Sequence, residues 1–113
     1  MIVGDVMVKK PITIKKNDSL KKAQDLMVKH SIRHLPIVDD GDLLGIISEN
    51  DIRGAFVGTK KSGARFKGTK TPALMKVADH MTENPLTVFP ETHIEDAALL
   101  IYKHKIGALP VIK

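Results

Sequence analysis

The chain has 113 residues, enough for one compact domain or for two half-domains that share a core. It contains no cysteine and no tryptophan, which excludes a disulfide framework and a thiolate metal site and leaves an aliphatic core. The net charge of +5 is local, because residues 58–72 carry five cations and no acid while the other residues carry 13 cations and 13 acids. Apolar runs are too short for a membrane helix, and no signal peptide follows Met1. We therefore expect a soluble cytoplasmic protein that does not associate with a membrane.

The first forty residues predict a strand and a helix. Residues 3–7 indicate a short helical turn, and the β-branched run at residues 11–14 indicates a short strand. Asp18 or Ser19 is a suitable N-cap for the helix that follows. In that helix the apolar residues Leu20, Ala23 and Met27 share one side, and Leu26 lies beside them.

Two strands and a second helix complete the first half of the chain. Residues 34–38 predict a strand, and residues 39–42 predict a turn in which Gly41 takes a positive φ. The nearly all-apolar run at residues 43–47 is typical of a strand covered on both faces. A helix follows and is expected to run towards Phe56. The predicted unit is strand, helix, strand, strand, helix.

The chain then repeats itself. Residues 3–39 align with residues 77–113 at a constant offset of 74, without a gap, and 12 of the 37 pairs are identical. The identical pairs are Val3/Val77, Asp5/Asp79, Met7/Met81, Pro11/Pro85, Thr13/Thr87, Ala23/Ala97, Leu26/Leu100, Lys29/Lys103, His30/His104, Ile32/Ile106, Leu35/Leu109 and Pro36/Pro110. The second half therefore predicts a strand at 86–88, a helix at 93–105 and a strand at 108–112. Two copies of one unit usually form a pseudo-symmetric pair with a ligand bound between them.

Four segments of the first half occur in a characteristic order: Asp-Val-Met, Pro-Ile-Thr-Ile, Ile-Arg-His-Leu-Pro-Ile-Val-Asp and Gly-Ile-Ile-Ser-Glu-Asn-Asp-Ile. Together they closely resemble a CBS (cystathionine-β-synthase) motif, and the duplication resembles the tandem pair in which such motifs occur. The resemblance implies an α/β fold of two β-α-β-β-α units with pseudo-two-fold symmetry. It places the first motif at residues 1–57, a basic linker at 58–72 and the second motif at 73–113. The second motif lacks its last strand and helix.

The resemblance also implies a regulatory module, not an enzyme, with no catalytic and no metal-binding residues. Its ligand would be an adenosine-containing molecule, AMP, ADP, ATP or S-adenosylmethionine, in a cleft between the two motifs. Ser48 would bind a phosphate at a helix N-terminus, and Asp51 would accept the ribose hydroxyls. The implied contacts are Ser48, Asp51, Ile46, Asn50, Arg33 and His34 from the first motif and Asn84, Leu86, Ile106, Gly107 and Ala108 from the second.

Two alternatives stay open at this point. Ser48 followed by an acidic residue three positions later also matches a capping box, which needs no ligand. The basic linker at 58–72 could bind a nucleic-acid backbone, serve assembly, or close over the phosphates of a bound nucleotide.

The incomplete second motif predicts at most one competent nucleotide site, because its symmetric cleft lacks the ribose-binding aspartate. It also leaves an unpaired sheet edge beside residues 108–112. We therefore expect a fragment of a longer chain, or alternatively a short form completed by a partner, and we expect a homodimer.

Overall fold

The computed structural model describes residues 1–61 and 73–113. Its helices and strands are α1 (Leu20–His30), β1 (His34–Asp39), β2 (Asp42–Ser48), α2 (Glu49–Lys61), β3 (Thr82–Glu83) and α3 (Ile94–His104), with 3-10 turns at Val3–Asp5 and Val77–Asp79. The strands form one sheet in the order β1-β2-β3, and both pairings are antiparallel. Most of the predicted basic linker, residues 58–72, lies outside the described residues.

Helix α1 begins where the sequence predicts it. The backbone N–H of Lys22 donates to the Ser19 hydroxyl at 3.0 Å, which makes Ser19 the N-cap. The helix ends at Ser31, whose left-handed backbone (φ 54°) turns the chain so that the N–H of Ile32 donates to the Met27 carbonyl at 3.0 Å. The predicted apolar side is buried, since Leu20, Ala23 and Met27 are at most 5% exposed.

Strands β1 and β2 form a hairpin around the predicted turn. Asp40 and Gly41 both have positive φ, 50° and 82°, and glycine adopts such a backbone without a steric penalty. Along β1 the side chains of Leu35 and Ile37 are fully buried, as alternation in a strand requires. A register shift between Ile37 and Val38 interrupts the ladder near the turn.

Three of the predicted strands are reduced to single bridges. Residues 11–14 contribute only the parallel bridge between Ile14 and Ile37, and residues 86–88 and 108–112 contribute only the bridge between Val88 and Val111. Each bridge has two backbone hydrogen bonds, which is too few for a regular ladder. Conversely, β3 was not predicted. Helix α2, which was expected to run towards Phe56, continues to Lys61, within the first residues of the predicted linker.

The described chain divides into two compact units. Unit 1 comprises Met1–Pro11 and Pro85–Lys113, and unit 2 comprises Ile12–Asn84. In unit 1 the buried core is formed by Val3, Val88 and Ala97. In unit 2 the larger core has ten buried residues: Ile14, Leu20, Ala23, Met27, Leu35, Ile37, Ile47, Ile52, Met75 and Val77.

In this division the opening segment of each repeat lies in the same unit as the helix of the other repeat, and we call this the exchange of opening segments. The N–H of Val3 donates to the carbonyl of Thr92 at 2.8 Å, and in the other unit the N–H of Val77 donates to the carbonyl of Asp18 at 2.8 Å. These two bonds are equivalent under the 74-residue offset. Each repeat therefore packs its opening turn with the helix of the other repeat.

Candidate functional site

Ser48 and Asp51 form a reciprocal cap at the start of α2. The N–H of Ser48 donates to Oδ2 of Asp51 at 2.8 Å, and the N–H of Asp51 donates to Oγ of Ser48 at 3.1 Å. This is the capping-box geometry, with aspartate in the place of glutamate. Both side chains are half-buried. The cap fixes their rotamers, and it leaves the Ser48 hydroxyl proton and the second carboxylate oxygen for other partners.

The amides at this helix start are mostly occupied. Besides the two N–H groups in the cap, the N–H of Glu49 donates to the Arg33 carbonyl at 2.9 Å. A helix start offers four such donors, so only the N–H of Asn50 is left among them. The expected anion site therefore has one backbone donor, and the Ser48 hydroxyl and neighbouring cations would have to supplement it.

Arg33 and His34 lie beside this cap. His34 is directly opposite Ser48 in the β1–β2 register, and the Arg33 carbonyl accepts the bond from Glu49. The structure thus brings Ser48, Asp51, Arg33 and His34 together at the end of the hairpin where α2 begins. Arg33 is exposed and His34 is half-buried.

A groove of about 430 Å³ opens between the end of α1 and the start of α2. Arg33, Glu49 and Arg53 line it, together with apolar residues that include Met27 and Ile52. Ser48 and Asp51 do not line it. This groove is therefore separate from the cap, and Arg33 borders it.

Ile46 and Asn84 come together through the short strand β3. Ile46 is opposite Thr82, Gly45 is opposite Glu83, and the N–H of Asn84 approaches the Leu44 carbonyl at 3.4 Å. Asn84 itself has a left-handed backbone (φ 49°), which turns the chain immediately after β3. Both residues were expected in the site, and the structure places Ile46 on β2 and Asn84 directly after the neighbouring strand β3.

Gly45 is the residue that sequence reasoning missed. A Cβ at this position would lie 2.6 Å from the Thr82 carbonyl oxygen and 2.8 Å from the Met81 sulfur. Only glycine lets β3 approach β2 this closely. The isolated glycine in an otherwise apolar strand was the available signal, because such a glycine often marks a close backbone approach.

Leu86, Ile106, Gly107 and Ala108 belong to unit 1. Leu86 and Gly107 are exposed, and Ile106 and Ala108 are partly buried. The last three residues follow the end of α3, where Lys105 has a left-handed backbone (φ 54°) and the N–H of Ile106 donates to the Ile101 carbonyl at 3.2 Å. Backbone groups at this turn are thus held in fixed positions.

The remaining charged groups near the cap form surface pairs. Arg53 donates to Oε1 of Glu49 at 3.0 Å and to Oδ1 of Asn50 at 3.5 Å. Within the described ranges, no three histidine or acidic side chains are grouped so that they could hold a metal ion. No described helix has the length and apolarity needed to cross a bilayer.

Comparison with known proteins identifies relatives along the whole chain. The chain is 33% identical over 112 residues to the L-aspartate semialdehyde sulfurtransferase of Methanocaldococcus jannaschii, covering 98% of this chain and 19% of that protein. It is 27% identical to the CBS domain-containing protein YhcV of Bacillus subtilis, covering 97% of this chain and 71% of that protein. The chain thus spans only about a fifth of the length of the enzyme relative.

Solved structures with the same fold include two ligand complexes. The CBS domain pair of protein MJ0100, in complex with 5'-methylthioadenosine and S-adenosyl-L-methionine, superimposes with a TM-score of 0.84 at 32% identity, covering 100% of this chain and 81% of that chain. CBSX2 in complex with AMP gives a TM-score of 0.80 at 31% identity, covering 98% and 81% respectively. The predicted fold class is confirmed.

The model of the CBS domain family matches twice, at residues 3–58 and 77–113. The two matches correspond to the two repeats and together account for most of the chain. The chain therefore belongs to the CBS domain family, and its fold is that of a CBS domain pair whose second motif is incomplete.

Proposed function

We propose that this chain is a regulatory module that binds one adenosine-containing ligand, AMP, ADP, ATP or S-adenosylmethionine, with contacts from both repeats. The observation that carries the proposal is the likeness to two domain pairs solved with AMP and with S-adenosyl-L-methionine, at 31% and 32% identity. The module has no catalytic role in this proposal. The enzyme names among its relatives belong to proteins of which the chain covers about a fifth.

Each proposed contact has a chemical role. The second oxygen of Asp51 accepts a ribose hydroxyl, and the Ser48 hydroxyl, the Asn50 N–H and Arg33 bind the phosphate end. His34 lies near the phosphate end beside Arg33. Backbone groups around Ile46, Asn84 and Ile106 read adenine, while Leu86, Gly107 and Ala108 border it. Binding to both repeats would change their relative arrangement, and a change of that kind is how such a module transmits a signal.

The proposal also covers the cellular location and the oligomeric state of the module. We place the chain in the cytoplasm, where its nucleotide ligands are found, and we propose a homodimer as the functional form. Sedimentation equilibrium of the purified chain, with and without nucleotide, tests the dimer. A monomer at all concentrations up to the millimolar range contradicts that part of the proposal and leaves the ligand site untouched.

Isothermal titration calorimetry with AMP, ATP and S-adenosylmethionine tests the ligand site. We expect micromolar binding of at least one of them, with one ligand per chain. Absence of heat with all three, from a sample with a cooperative unfolding transition, contradicts the proposal.

Asp51→Asn separates the ligand contact from the helix cap. The asparagine retains an oxygen that can accept from the Ser48 N–H, so we expect stability to fall by less than about 1 kcal/mol. It loses the charged acceptor, so we expect nucleotide affinity to fall by about 1–3 kcal/mol. The matched control is Asp25→Asn, which alters an exposed pair with Lys21 and should change neither quantity measurably. Unchanged affinity in Asp51→Asn would remove Asp51 from the site.

A further inference from the structure

A short turn precedes helix α1 in unit 2, and the segment around the 3-10 turn Val77–Asp79 packs along it. The N–H of Ala78 donates to the Lys16 carbonyl at 3.0 Å, and Ser19 forms an antiparallel bridge with Lys76. These backbone contacts bring together exposed lysines from two distant segments of the chain. We call them the basic face: Lys15, Lys16, Lys21, Lys22 and Lys76.

Unit 1 builds the same backbone arrangement ahead of α3. The N–H of Gly4 donates to the Pro90 carbonyl at 2.8 Å, as that of Ala78 does to Lys16. Ile2 forms an antiparallel bridge with His93. Both contacts therefore recur at the offset of 74, and the two surfaces can be compared residue by residue.

The charges on these equivalent surfaces are opposite. The counterparts of the five lysines are, in the same order, Phe89, Pro90, Glu95, Asp96 and Ile2. Glu91 replaces the uncharged Asn17, and Asp79 of unit 2 recurs as Asp5 of unit 1, so Asp79 does not reduce the difference. We call the three exposed acids that are particular to unit 1 the acidic face: Glu91, Glu95 and Asp96.

Most of these charges lack an ion-pair partner. In the basic face, Lys21 pairs with Asp25 at 3.2 Å, and Lys22 pairs with Asp18 at 3.3 Å. The other three lysines, and all three members of the acidic face, have no ion pair within the described residues. The two faces thus offer equal numbers of unpaired charges of opposite sign.

The basic face also opposes the electrostatics of its own helix. A helix start favours acidic residues and disfavours cations, because its backbone dipoles point their positive end there. Helix α3 has Glu95 and Asp96 in its first turn, whereas α1 has no acid in its first turn and carries Lys21 and Lys22. Exposed ion pairs compensate for this only slightly. A surface that is kept against local preference is typical of a functional site.

We propose that the basic face of one chain binds the acidic face of a second copy. A second copy is the occupant because it carries a face of matching size, matching backbone shape and opposite charge. Complementary charges of this kind accelerate association and select the partner, and salt weakens them. The proposal rests on the homodimer proposed above and assigns a surface to it, and it is independent of the nucleotide site.

The first test is the salt dependence of self-association, measured by sedimentation velocity on the full chain. The two conditions are about 0.01 M and about 1 M salt, at which charges are screened over about 30 Å and about 3 Å. We expect association at low salt that weakens by about tenfold or more at high salt. A dimer that is equally stable in both conditions overturns the charged contact and leaves the homodimer standing. A monomer in both conditions overturns the two proposals together.

Two double charge reversals test the faces themselves. Lys15→Glu with Lys16→Glu makes the basic face predominantly acidic in its unpaired charges, and Glu95→Lys with Asp96→Lys makes the acidic face basic. We expect each variant alone to associate about tenfold more weakly than the unmodified chain, because like charges then meet. An equimolar mixture of the two variants should associate again, because each chain then offers the other a face of opposite charge. Failure of the mixture to associate, or undiminished association of either variant alone, overturns the proposal.

The matched control is Lys9→Glu with Lys10→Glu. It changes the net charge as much as the first reversal does, at two exposed lysines outside both faces, and should leave association unchanged. Lys15→Gln with Lys16→Gln removes charge without reversing it, and it should weaken association in the same direction if a reversed variant fails to fold. Retention of the unmodified chain on immobilised polyphosphate, without self-association at low salt, also overturns the proposal, because the occupant would then be a polyanion.

Discussion

Among the described glycines, Gly45 is the one at which an added Cβ would have the least room. The Thr82 carbonyl comes so close that a methyl group at position 45 would force β3 away from β2. We expect Gly45→Ala to destabilise the chain by about 1–3 kcal/mol, the usual cost of overpacking. The measurement is urea denaturation followed by circular dichroism.

Gly54 provides the matched control for that substitution. It lies in α2, and a Cβ there would meet nothing within 4 Å. Alanine stabilises a helix interior relative to glycine by about 0.5–1 kcal/mol, so Gly54→Ala should raise stability. If both substitutions change stability equally, the close approach at Gly45 does not determine the packing of β3.

At the residue scale, the sequence predicted those interactions that join residues close together in the chain. The Ser48–Asp51 pattern predicts both a cap and a ligand contact, and the cap is present. The isolated Gly45 could indicate a close backbone approach, but the approaching residue, Thr82, is 37 positions away in the chain, so no local pattern could identify it. The placement of the ligand contacts stays a prediction until binding is measured.

At the scale of elements, α1 and α3 are equivalent helices with unequal starts. Ser19 caps α1 with its hydroxyl, whereas His93, its counterpart, makes no side-chain cap bond to α3. We expect His93→Ser to stabilise unit 1 by about 0.5–1 kcal/mol, because serine at this position can accept from the first turn. Hydrogen exchange of the α3 amides measures the effect.

Ser19→Ala is the reciprocal variant. It removes the bond to Lys22 and should cost about 1 kcal/mol, with loss of protection in α1. Stability that is unchanged in both variants would show that tertiary packing alone determines where these helices begin.

The helices were predictable because their apolar positions repeat with the helical period over eleven residues. The short strands were not, since a run of three or four β-branched residues has the same composition whether it forms a ladder or a single bridge. Residues 11–14 show this: their described bridge lies at Ile14, opposite Ile37, which is 23 positions away in the chain.

At the scale of the whole molecule, the cores contain residues from distant parts of the chain. Val77 is fully buried in unit 2, and Val3 is 6% exposed in unit 1. We expect Val3→Ala to speed hydrogen exchange at residues 85–113 and Val77→Ala to speed it at residues 12–48. Each substitution should cost about 2 kcal/mol. The opposite pattern, in which each substitution affects its own repeat, contradicts the exchange of opening segments.

The duplication itself was predictable from the constant offset, and the family followed from the motifs. The exchange of opening segments was not, because the sequence is equally compatible with each turn packing on its own repeat. The hydrogen bonds from Val3 to Thr92 and from Val77 to Asp18 distinguish the two arrangements.

The exchange has a consequence for how such a chain can originate. A polypeptide with one repeat has no second helix on which to pack its opening turn. Two such molecules would have to exchange their opening segments, as in domain swapping, to complete their cores. Their folding would then depend on concentration. When two copies of the gene are joined in tandem, the exchange of opening segments occurs within one molecule. The folded state then requires no second molecule to complete its cores.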